Sequence, residues 1–219
     1  LPTLASIARY HQQLSPPFSE LPVQTILENA ARFAVEEYGP ALFEGSNLSA
    51  DRKHHIAQRL SDLTSLPVPT ISSMDLRISY DRFCREFLQS TNQTVGRYDA
   101  RMTSYRVPEE PSACGEISSP DPSFYAISGA FSSAFQTYLL KDLKWKRAEP
   151  YVVISDAVHP WNWTVDARPS AGCGYLSMLQ DLRMAMTKNP SLKLFVAGGY
   201  YDLATPYFSQ EYSLSHLLL

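Results

Sequence analysis

Apolar residues recur at helical spacing through the first two-fifths of the chain. Val23, Ile26, Leu27, Ala30, Phe33, Ala34 and Tyr38 form one series, which Gly39-Pro40 is expected to end. Ser49 reads as the N-cap of a second helix whose inner face is Ile56, Leu60 and Leu63, stopping before Pro67. Ser79 reads as the cap of a third, with Phe83, Phe87 and Leu88 inward. Arg32, Glu36, Asp51, Arg52, Lys53, Arg59 and Asp62 fall on the other faces and read as solvated charge. His54 and His55 are adjacent and diverge on a helix, which makes a poor metal pair.

The period then changes. In TVGRYDARMTSY, alternation places Arg97, Asp99 and Arg101 on one face of a half-buried strand and Tyr98, Ala100 and Met102 on the other. The charged face reads as a cross-strand ion ladder in preference to an anion site. Residues 107–123, rich in Pro, Ser and Asp, read as a long loop. Beyond it the pattern gives a helix over 129–143, a short apolar strand YVVIS at 151–155, and an amphipathic helix with Leu176, Leu179, Leu182 and Met186 inward. A second apolar strand, LKLFVAGG, and a last helix, YFSQEYSLSHLL, complete the chain. Strand, helix and strand in this order predict a right-handed βαβ unit with its strands parallel in a helix-covered sheet.

Composition adds limits. The chain has 219 residues, 44% of them hydrophobic, so a sizeable core is available. A net charge of −3 without basic runs argues against a nucleic-acid partner. No apolar stretch reaches 18 residues, so no membrane-spanning helix is expected. The opening LPTLASIARYHQQL lacks the basic start and cleavage-type end of a signal peptide. With no initiating Met and an apolar end, SLSHLLL, the chain is expected to be a piece of a longer protein. The three cysteines form no CxxC pair or metal set. Cys114 and Cys173, in loop-like sequence near glycines, are expected to lie close in space, with Cys84 unpaired. No metal or cofactor is implied.

In parallel sheets, functional groups sit just past the C-terminal ends of strands. Asp202 follows LKLFVAGG, and Asp156, His159 and Pro160-Trp161-Asn162-Trp163 follow YVVIS. On position alone, Asp202 has two readings: a functional carboxylate, or a cap for the helix that follows.

The stretch AGGYYDLATPYFSQEYSLSHL resembles the segment of serine carboxypeptidase-like peptidases, in particular their bacterial branch, that carries the triad aspartate. HPWNW, TVGRYDARM and DLRMAMTKNPSLKLFVAGGYYDLATP are similar to further stretches of that branch, so the resemblance spans nearly the whole chain. It implies a partial α/β-hydrolase fold with a helical excursion. Residues 1–115 would be the mainly helical excursion, and 116–219 the C-terminal part of the core. It also implies removal of C-terminal residues from peptides by Ser-Asp-His acyl-enzyme chemistry, with Asp202 as the acid that orients the imidazole.

The chain order expected of such a triad is Ser, Asp, His. No G-x-S-x-G elbow is present; Ser112, Ser128 and Ser170 all lack the glycine two residues before. By the resemblance the elbow would precede LPTLAS. His216 follows Asp202 but lies within a predicted helix, and His159 precedes the acid. Asp202 is therefore the one catalytic candidate, no substrate-binding residue is assigned, and the chain alone is expected to be inactive. The whole protein would take a peptide substrate. Its relatives suggest an extracytoplasmic location. Two alternatives remain: an acyltransferase or esterase of the same fold, and a non-catalytic helical binding module.

Overall fold

The computed structural model describes residues 1–106, 121–146, 149, 151–153, 155, 157 and 177–217. The described residues fall into two compact units, within Leu1–Ala126 and Ala197–Glu211, and within Ile127–Val196 and Tyr212–Leu219.

The first unit is a helical assembly. Helix α1 (Pro2–Tyr10) is followed by α2 (Val23–Phe33), α3 (Gly39–Glu44), α4 (Ala50–Thr64), α5 (Val68–Ser73) and α6 (Tyr80–Glu86). Ile7 of α1, Ile26 and Phe33 of α2, Ile56, Leu60 and Leu63 of α4, Ile71 of α5 and Phe83 of α6 share one core. The face read for α4 is here in full, and Ala30, Phe87 and Leu88 join the core as read, the last two just past α6; Val23, read as part of the α2 face, is exposed. The caps are also those read from the sequence. Ser49 Oγ accepts from Arg52 N–H (3.3 Å) and Ser79 Oγ from Arg82 N–H (3.3 Å).

Gly39-Pro40 does not stop the helix as expected. One π-helical stretch, Ala34–Tyr38, passes into α3, and Pro40 falls in that helix's first turn. Tyr38 and Gly39 keep helical backbone angles, so Pro40 lies in a continuous helical run, and the wider π-helical turn just before it is where the i→i−4 ladder is interrupted.

The strand expected over 94–105 is a hairpin. Strand β1 (Gln93–Val95) pairs antiparallel with β2 (Thr103–Tyr105), and residues 96–102 form the turn between them. Arg97, Asp99 and Arg101 therefore make no ladder. Asp99 and Arg101 close a bidentate pair inside the turn, with Nε–Oδ1 2.9 Å and Nη2–Oδ2 2.7 Å. The Arg101 bonds hold the Asp99 carboxyl below its usual range. Arg97 lies over the Tyr80 ring, 4.7 Å from its centroid.

This hairpin is the only sheet among the described residues, and it corrects the expected fold class. There is no parallel sheet with covering helices, hence no partial α/β-hydrolase core, in the described residues. Residues 151–153 and 155 of YVVIS form no strand, and neither does LKLFVAGG. A strand buried on both faces holds only when neighbours satisfy its backbone and cover its side chains. Neither condition is met among the described residues: Val152 is 63% exposed and Phe195 90%.

In the second unit, Tyr151 N–H donates to Gln136 Oε1 (3.1 Å) of helix α7 (Pro122–Lys141), and its ring meets Phe135 edge-on. Helix α8 (Leu179–Lys188) forms where a helix was expected; Leu179, Leu182 and Met186 are its less exposed side but none is buried, and Leu176 lies outside the described residues. The last helix, α9, spans Tyr207–Ser215.

Helix α7 begins before the expected 129 because Asp121-Pro122 supplies a start. Asp121 Oδ1 accepts from Ser123 N–H (2.8 Å) and Phe124 N–H (3.2 Å), with Pro122 at the first helical position.

Candidate functional site

Asp202 sits in a turn between residues 192–199, which form no helix or strand, and α9. Its Oδ1 accepts from the backbone N–H groups of Ala204 (2.8 Å) and Thr205 (3.0 Å). Its Oδ2 accepts from the Thr205 hydroxyl at 2.6 Å. This is the local geometry that an Asp three residues before a Thr favours, and it prepares the chain for the helix after Pro206. Each carboxylate oxygen has about two acceptor directions. Among the described residues, both are taken at Oδ1 and one at Oδ2, so Oδ2 retains one.

Three contacts from distant sequence fix the turn. Ser6 Oγ of α1 donates to Tyr200 O (2.5 Å), across 194 positions of sequence. Ala100 N–H donates to Tyr201 O (3.0 Å), and Leu203 N–H donates to Arg97 O (2.9 Å). Leu203 is buried in the core, and the Arg101 guanidinium lies 5.2 Å from the centre of the Tyr201 ring. The turn over residues 96–102 and the Asp202 turn thus form one backbone-bonded cluster. A carboxylate carried on it is held by packed backbone at both ends.

The same cluster is anchored by Asp121 and Ser123, which belong to the first unit. Asp121 Oδ2 accepts from Arg97 N–H (3.0 Å), and Ser123 Oγ accepts from Tyr98 N–H (3.1 Å). The fit is close enough that a Cβ on Gly96 would lie 2.6 Å from Ser123 Cβ. Neither Asp121 nor Ser6 was singled out from the sequence. Asp-Pro before an apolar run is a helix-start signal and would have found Asp121; nothing local marks Ser6.

The other candidates separate plainly. His216 lies just past α9, where its Nδ1–H donates to Tyr212 O (2.7 Å) and its ring packs on Tyr212. A triad base needs that same Nδ1–H for its carboxylate, so the bonding of His216 is that of a helix-end residue. Ser128 lies within α7 rather than on a strand-to-helix elbow. Asp156, His159, the Trp161–Trp163 stretch, Ser112 and Ser170 lie outside the described residues, as do Cys114 and Cys173. Cys84 is a free thiol, which burial pushes up to about 12. Among the described residues no group of three or more His, Cys, Asp or Glu is gathered as for a metal ion. Nor is any described helix long and apolar enough to cross a membrane.

No family model matches this chain, and no curated protein or solved structure matches it.

Proposed function

We propose that this chain is a portion of a serine carboxypeptidase-like hydrolase and that it supplies the carboxylate, Asp202, which orients the catalytic imidazole. One observation carries the reading. The two stretches GRYDARM and GGYYDLATP, about 100 positions apart in sequence, meet in the fold and bond to each other through Arg97, Ala100, Tyr201 and Leu203. Both stretches carry the resemblance to that class. Their junction is where the carboxylate sits, with one acceptor direction left at Oδ2.

The chemistry follows from the charge. A fixed anion accepts the Nδ1–H of an imidazole, selects the tautomer whose Nε2 faces a serine hydroxyl, and stabilises the imidazolium formed when that hydroxyl attacks. Serine and histidine come, in this reading, from outside residues 1–219. On this reading residues 1–219 supply the orienting acid alone, and the isolated chain is expected to turn over no substrate.

The test is an assay of the whole protein on free-acid peptides, followed by mass spectrometry. The expected product pattern is a ladder losing one residue at a time from the C-terminus, with C-terminally amidated peptides left intact. Transfer of the acyl group to an added alcohol, with no peptide ladder, would favour an acyltransferase instead. No turnover of peptide, ester or acyl donor would leave the non-catalytic module.

A further inference from the structure

A groove of about 630 Å³ opens at the end of α1, and its composition is one-sided. Arg9, Tyr10, Gln12, Ser19 and Tyr201 line it with donors, Leu14 and Val23 give it an apolar wall, and no carboxylate among the described residues lines it. Arg9 is half-buried in the last turn of α1. Its guanidinium, with five N–H donors, has no carboxylate or carbonyl partner among the described residues. The contrast with its neighbours is informative. Arg52 pairs with Glu44, Arg77 with Asp75, Arg101 with Asp99, and Arg59 lies over the Phe18 and Phe33 rings.

The walls are firm. The Tyr10 and Tyr201 rings pack 5.2 Å apart, and Tyr201 is held at its carbonyl by Ala100 N–H. Leu14 belongs to the buried core. The helix C-terminus gives Arg9 a weak electrostatic reason to be there, but it does not account for an anion-free groove with an apolar side.

We propose that this groove binds a small monocarboxylate bearing an aliphatic group. The carboxylate takes the planar fork of Arg9, with the Tyr10 and Tyr201 hydroxyls and the Gln12 amide beside it. The aliphatic part lies on Leu14 and Val23. One cation among the described lining residues, beside apolar walls, suits one negative charge better than a doubly charged phosphate. The required ligand chemistry is met both by a free aliphatic acid and by the C-terminal residue of a peptide. The proposal does not rest on the hydrolase reading, because it concerns binding alone.

The experiment is a heteronuclear NMR titration of the whole protein with hexanoate, N-acetyl-leucine, N-acetyl-leucine amide and inorganic phosphate. Either acid should bind with a millimolar-order constant, with shifts confined to the end of α1, residues 12–23 and the 201 turn. Binding of both acids points to free acids as the source, and binding of N-acetyl-leucine alone to peptide ends. The amide and phosphate should bind about tenfold more weakly or worse. Arg9→Met should weaken acid binding about tenfold, and Tyr201→Phe a few-fold. Should Arg9→Met not fold, the acid–amide comparison and Arg9→Lys, which keeps charge but loses the fork, carry the test. Equal binding of acid and amide, tighter binding of phosphate, unchanged affinity in a folded Arg9→Met, or no binding at about 10 mM acid would each overturn the proposal.

Discussion

Replacing Asp202 by Asn in the whole protein is expected to lower turnover of a free-acid peptide about 10⁴-fold and leave the fold intact. The two halves of that expectation rest on different oxygens. Oδ1 takes the Ala204 and Thr205 N–H groups, and an asparagine carbonyl, though a weaker acceptor, can take both. Oδ2 becomes an NH₂ group. The Thr205 hydroxyl, which donates to Oδ2 in the native turn, can rotate and accept instead. The turn therefore survives. An imidazole at the remaining Oδ2 direction loses its acceptor and meets a donor, which selects the wrong tautomer. Thr205→Val is the control, because it removes a contact to the same oxygen without touching the charge. Its turnover should stay within about tenfold of native. Near-native turnover of a folded Asp202→Asn protein would leave Asp202 a turn residue only.

The largest stability effect is expected at Phe83. Its ring is fully buried and stacks on Phe87, with centroids 4.9 Å apart. It belongs to the one core shared by α1, α2, α4, α5 and α6. Phe83→Ala removes that ring and leaves a cavity, which costs about 3–5 kcal/mol. Domains of this size are stable by about 5–15 kcal/mol, so the loss is a large share of the total. Urea unfolding followed by circular dichroism should show the midpoint falling by about 1 M or more. Phe83→Leu, which keeps most of the volume, should cost clearly less. A loss under about 1 kcal/mol in Phe83→Ala would mean that α6 does not pack as described.

The helical front of the chain was legible because its signals are local. Ser49 and Ser79 cap helices through bonds to backbone three residues on, and the spacing of Ile56, Leu60 and Leu63 declares the buried face. Helix α1 was not legible. Ala5, Ser6, Ile7 and Ala8 are all buried, so PTLASIARY shows no alternation of faces, and its helicity depends on packing against α2 and α4. The two apolar segments after residue 150 misled for a related reason. Short apolar runs such as YVVIS state a preference for burial, not the partners that would make them strands. The Asp202 turn was legible as a turn; its carboxylate bonds Ala204 and Thr205 of the turn itself and none of the first N–H groups of α9. What holds that turn in place was not, since Ser6, Arg97 and Ala100 reach it from 100 to nearly 200 positions away.

The most direct test of Asp202's role is a distance. An experimental structure of the whole protein with a bound product should place a histidine Nδ1 about 2.6–3.2 Å from Oδ2 of Asp202. That N–H should donate along the direction that Ala204 and Thr205 leave open. If both carboxylate oxygens instead meet only Ala204 and Thr205, with no imidazole within about 4 Å, Asp202 is a turn residue and the hydrolase reading of this site fails.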